Sequence, residues 1–182
     1  MDKDIYYPKS YDIIYRSGYV IGFIGIALFA FSYIFLNTSG FYAGIIIFYA
    51  GTLISSSFLL VWKKEIKIFI LSCVILGILF GLSHLLVFKN PEVLIISIGL
   101  VLAGLAGLYG KEAHCFHFME GWILMWSFPV LIFVNLLIYG LNIENNTAVH
   151  AVFSIIYLIV MFLAFSFLIK KLRQPLMQFC QN

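Results

Sequence analysis

VLIISIGLVLAGLAGLY, Val93 to Tyr109, carries no charged residue. GKEAHCFHFME, Gly110 to Glu120, interrupts it with Lys111, Glu112 and Glu120, and GWILMWSFPVLIFVNLLIY, Gly121 to Tyr139, returns to an uncharged run. A helix needs about 20 mainly apolar residues to cross roughly 30 Å of hydrocarbon. The stretch therefore reads as two membrane spans joined by a short polar segment.

Working outward, the same pattern recurs at Gly18 to Leu36, Phe41 to Trp62, Ile68 to Val87 and Val149 to Ile169. The expected fold is an all-α bundle of six transmembrane helices, a single integral membrane domain over residues 1–182. Composition supports this reading: 63% of residues are hydrophobic and 10% charged, against about 45–50% and 25% in soluble domains.

Orientation follows from the basic residues. Lys3, Lys9, Arg16, Lys63, Lys64, Lys67, Lys111, Lys170, Lys171 and Arg173 fall on one side of the six spans, and Lys89 alone on the other. Short loops obey the positive-inside rule, so both termini are expected in the cytoplasm. Trp62, Tyr109, Trp122 and Tyr139 near span ends fit an aromatic belt. The loops expected on the far side, Asn37 to Gly40, Phe88 to Glu92 and Gly140 to Thr147, are too short for a folded domain. Cys115 and Cys180 fall on the reducing side and Cys73 within the third span, so no structural disulfide is expected.

Small residues four apart let membrane helices approach closely. Gly18 with Gly22, Gly77 with Gly81, and Gly99, Ala103 and Gly107 form such faces, open equally to packing within the chain and to a homodimer. Pro129 should bend the fifth span, with Ser127 and Asn135 nearby to satisfy freed polar groups. The two halves, of three spans each, run in opposite orientation, as in inverted-repeat transporters, but share no residue-level similarity. No span carries Asp, Glu, Lys or Arg near its centre, which disfavours an ion-coupled pump.

Chemically capable side chains concentrate in the loop expected over residues 111–120. In an unbroken helix Glu112, Cys115 and Met119 would share one face and His114, His117 and Glu120 another, so the sets converge only in a loop or broken turn. Thiolate with thioether suits Cu(I), and imidazoles with carboxylate suit Zn(II) or Fe(II). A second candidate site, for a metal or haem, is a pair on the opposite face, His84 and His150, should the third and sixth helices touch. Against both stands ordinary packing with no cofactor.

Three functions remain open. The leading one is a non-enzymatic membrane protein that handles a metal ion or thiol partner through residues 111–120, with a membrane or cytoplasmic protein as partner. A small channel or facilitator lined by Thr52, Ser55, Ser56 and Ser57 is the second. The third is a membrane enzyme with Cys115 as nucleophile and His114, His117 or Glu120 as base. The bilayer itself is a partner in every reading. Nucleic acid is not, because the basic residues are not interleaved with aromatics on an exposed face.

Lys111, Glu112, Cys115 and Phe116, after the Ala/Gly-rich fourth span, resemble the Lys-Glu-x-x-Cys-Phe signature of a family of small bacterial integral membrane proteins of unknown function. The resemblance implies a multi-pass protein of the bacterial inner membrane and brings no activity or cofactor.

Overall fold

The structure is a computed structural model describing residues 8–60, 64–88, 90–141 and 146–176. Lys3, Trp62, Lys63, Lys89 and Cys180, which entered the arguments on orientation, aromatic belt and thiols, lie outside the described residues. The elements are α1 (Lys9–Ile34), α2 (Thr38–Ser57), α3 (Lys64–Ser83), α4 (Pro91–Phe116), α5 (Met119–Gly140) and α6 (Thr147–Arg173), with a π-helical turn at His84–Phe88 after α3. All six are long and apolar enough to cross a membrane, and the described residues contain no strand.

The helix starts are written locally. Asn37 and Asn146 cap α2 and α6 through their side-chain oxygens, accepting from the Gly40 and Ala148 amides at 3.0 and 2.8 Å, and Pro91 opens α4, where its missing N–H has no cost. Large apolar side chains such as Phe31, Trp126, Phe133 and Phe162 point outward, as they must when the solvent is lipid.

Glycine sets the closest contacts. A Cβ on Gly25 would strike the backbone of Phe48, and one on Gly51 the backbone of Gly22, so α1 and α2 run with their main chains nearly touching. Along the α3–α4 seam, a Cβ on Gly77 would lie 2.9 Å from the Ser97 carbonyl, and one on Gly104 would lie 2.5 Å from Val74. Gly18, Gly22, Gly77 and Gly81 thus face other helices of the same chain. Ala103, also named for a homodimer face, is exposed. On α4 the seam uses Gly104 and Gly107, while Gly99 turns toward Ile132 of α5. The 3.6-residue period carries Gly99 round to the next neighbour.

Packing is densest between α1 and α2, α3 and α4, and α4 and α5, with α6 held chiefly by α1. The bundle therefore divides into the triplets α1–α2–α6 and α3–α4–α5, joined by thinner contacts of α2 with α3 and α4 and of α5 with α6. This differs from the sequence halves, because α6 returns to pack more on α1 than on its chain neighbour α5. Pro129 sits inside a continuous α5. Ser127 and Asn135 bond to the carbonyls of Leu124 and Leu131, polar groups of the same helix.

A buried ion cluster and an apolar cavity

The segment expected as a loop is mostly helix. Lys111 to Phe116 complete α4, only His117 and Phe118 connect, and Met119 and Glu120 already belong to α5. The reversal is possible because His117 takes a left-handed conformation, φ 55° and ψ 37°, which ends a helix in one residue.

Continued helix turns Glu112 into the bundle, where its side chain has no accessible surface. An isolated carboxylate there would be prohibitively unstable. Its oxygens instead collect three donors: the Tyr15 hydroxyl at 2.7 Å and Lys111 Nζ at 2.8 Å on Oε1, and Lys171 Nζ at 2.6 Å on Oε2. Tyr15 comes from α1 and Lys171 from α6, so one carboxylate ties three helices across the two triplets. Because the Tyr15 proton goes to Glu112, Tyr19 is the donor in the 2.9 Å contact between the two tyrosine hydroxyls. Phe116 lies beneath both ammonium groups, 4.9 Å from Lys171 Nζ and 5.8 Å from Lys111 Nζ to the ring centre, a cation–π arrangement strengthened by burial. Lys111, Glu112 and Phe116, three of the four positions that carried the resemblance, thus serve one cluster.

Two further ionic contacts close the same end. Arg16, bridged to Asp12 at 3.0 Å, donates to the carbonyls of Lys171, Gln174 and Pro175 at 3.2, 2.7 and 2.8 Å. It thereby satisfies carbonyls left open where α6 ends and complements the negative end of its dipole. Glu120 pairs with Lys170 at 2.5 Å and accepts from Ser166, linking α5 to α6. Below the cluster, Tyr19, Tyr109, Phe167 and Phe128 meet ring against ring and fill the bundle axis.

The remaining residues singled out in the sequence go elsewhere. His114, His117 and Met119 are exposed, and among the described residues no three of the His, Cys, Asp and Glu side chains are grouped to hold a metal. Cys115, on the last turn of α4, is half-buried. Cys73 is free and half-buried.

His84 and His150 do not pair. His84 Nδ1 lies 2.9 Å from the Asn90 carbonyl and its ring stacks on Tyr42, while His150 Nε2 lies 3.0 Å from the Tyr33 carbonyl and stacks on Tyr33. Their helices do not touch among the described residues. The hydroxyls of the α2 stripe are taken up by backbone: Thr52, Ser56 and Ser57 bond to carbonyls of their own helix and Ser55 to the Tyr15 carbonyl.

At the opposite end the triplets separate around a cavity of about 270 Å³, walled by α1, α2, α4, α5 and α6. No charged residue lines it. A lipid-facing groove between α5 and α6 shares Leu131 and Val160 with its wall. Sequence reasoning missed the cavity, and it missed Tyr15, Lys171 and Arg16 as partners. The available signal was topological: the alternation of spans puts the start of α1 and the end of α6 at the depth of Glu112.

Residues 60–178 match a family described as an uncharacterized integral membrane protein (DUF2301). No curated protein and no solved structure matches the chain.

Proposed function

The chain belongs to that family of integral membrane proteins, and we propose that it is a non-enzymatic binding protein of the bacterial inner membrane, retaining a membrane-partitioned molecule between its two helix triplets. The observation that carries this is the uncharged cavity of about 270 Å³, bounded toward the basic end by the ring layer, with Leu131 and Val160 shared between its wall and the α5–α6 groove. The skew of basic residues supports a cytoplasmic position for the cluster.

An apolar molecule crosses hydrocarbon unaided, so walls that enclose one favour retention over permeation. The channel reading loses its polar lining to helix-internal bonds. For a metal or an activated thiol, the donor sets are dispersed, and Glu112 is committed to Tyr15, Lys111 and Lys171.

Protein purified in mild detergent is extracted with organic solvent, alongside a folded Ile98→Trp variant in which the indole fills the cavity. A stoichiometric small molecule present with the wild type and absent from the variant is the expected result. Identical extracts, together with no uptake of any apolar probe by either protein, would sink the reading.

A further inference from the structure

We propose that the ionic cluster at the basic end is an anion site, in which Lys111 and Lys171 bind a phosphate group presented at the membrane surface. Charge is the first argument. Two ammonium groups meet one carboxylate, Lys111 on Oε1 and Lys171 on Oε2 of Glu112, and the Tyr15 hydroxyl that shares Oε1 adds no charge. The carboxylates of Asp12 and Glu120 are taken by Arg16 and Lys170. One positive charge is therefore left without a counter-charge among the described residues, in a place where an unpaired charge is costly.

Donor capacity points the same way. An ammonium has three N–H groups, and Lys111 and Lys171 each give one to Glu112. The rings of Tyr15 and Phe116 have their centres 4.9 to 5.8 Å from the two Nζ atoms and ease the burial, but a ring carries no net charge. Arg16, by contrast, is saturated, with its guanidinium N–H groups spent on Asp12 and on the carbonyls of Lys171, Gln174 and Pro175. The unspent donors belong to the two lysines.

Position selects phosphate. Lys111 stands two residues beyond the uncharged run that ends at Tyr109, and about 8 Å of helix separates it from the end of α4 at Phe116. The interfacial layer outside the hydrocarbon is roughly 5–8 Å thick on each side, so Lys111 stands at the border where lipid phosphates begin. Its side chain keeps 13% of its surface accessible against 3% for Lys171. An anion thus approaches over Lys111, with Lys171 behind it. A phosphate offers several oxygens around one centre to the two ammonium groups, as in other basic pockets between membrane helices, whereas a choline head group brings its own cation and cancels the gain.

Anionic phospholipid and free phosphate both offer this group, and the experiment separates them. The full chain, stripped of lipid in an uncharged detergent, is titrated with short-chain phosphatidylglycerol and short-chain phosphatidylcholine, bound lipids being counted by native mass spectrometry, and with radiolabelled inorganic phosphate in equilibrium dialysis. One phosphatidylglycerol is expected to bind about tenfold tighter than phosphatidylcholine, as one charge-assisted hydrogen bond allows, with no inorganic phosphate retained. Inorganic phosphate that binds one-to-one and displaces the lipid would keep the site and make its ligand the soluble anion. Lys111→Met leaves Glu112 paired with Lys171 and Tyr15, so it should fold and bring phosphatidylglycerol down to the level of phosphatidylcholine. Lys111→Arg should retain most of the preference, and Arg173→Gln, which removes an exposed basic side chain at the same end, should leave it unchanged.

Equal affinity for the two lipids with no inorganic phosphate bound, or a preference that survives Lys111→Met, would overturn the site. So would a preference lost equally in Arg173→Gln, which would assign it to diffuse surface charge. The wild type and Arg173→Gln decide the matter even should Lys111→Met fail to fold.

Discussion

At its basic end the bundle draws α1, α4 and α6 together around Glu112 until no water reaches it; at the other end the same helices diverge around a space with no charge in its walls. The contrast comes from side-chain chemistry. A buried carboxylate demands donors at fixed distances and brings partners in from other helices. Aromatic rings demand only contact, and rings too bulky to interdigitate leave a void. The α1–α2 and α3–α4 seams sit between these extremes, pulled close by glycine and indifferent to charge.

The sharpest way to break the contrast is to remove the carboxylate. Glu112→Ala strands the buried Lys171 and should destabilise the folded bundle by about 4 kcal/mol, read as a lowered midpoint in denaturing-detergent titration. The double variant Glu112→Leu with Lys171→Met should recover most of that loss, because apolar replacement of a buried pair is often neutral. Failure to recover would mean that the cluster does more than hold helices. In the seam, Gly25→Val forces a branched side chain into the Phe48 backbone, and about 3 kcal/mol of overpacking strain is expected, visible as loss of monodisperse protein on heating.

A smaller effect separates charge from geometry. Arg16→Lys keeps the charge but loses the fork that reaches three carbonyls at the end of α6; a loss of about 2 kcal/mol is expected, with faster amide exchange confined to the last turn of α6. The smallest should be Ser56→Ala, whose hydroxyl only doubles onto the Leu53 carbonyl of its own helix. A stability change of about 0.5 kcal/mol or less is expected, and a greater one would reopen the polar stripe as a functional surface.

Span number and approximate position were legible because crossing hydrocarbon imposes a length that shows in one dimension. The fourth helix nevertheless runs on to Phe116, beyond the expected Tyr109. Hydropathy marks where lipid ends, and a helix whose Lys and Glu find buried partners has no reason to stop there. The segment was legible as the densest chemistry in the chain, with His114, Cys115, His117, Met119, Glu112 and Glu120 read as candidate metal ligands; what the structure adds is the set of partners that Lys111, Glu112 and Phe116 find.

Composition and periodicity, which act along the chain, were enough to establish a six-span helical membrane protein and to mark Lys111 to Phe116 as its densest chemistry. Partnership acts across the chain. Glu112 meets Tyr15 and Lys171 at separations of 97 and 59 residues, and the cavity exists only because α6 packs back on α1 while α5 stays with α4. Those pairings depend on which helix faces interlock, a choice among many arrangements of equal hydropathy, and only the tertiary structure makes it.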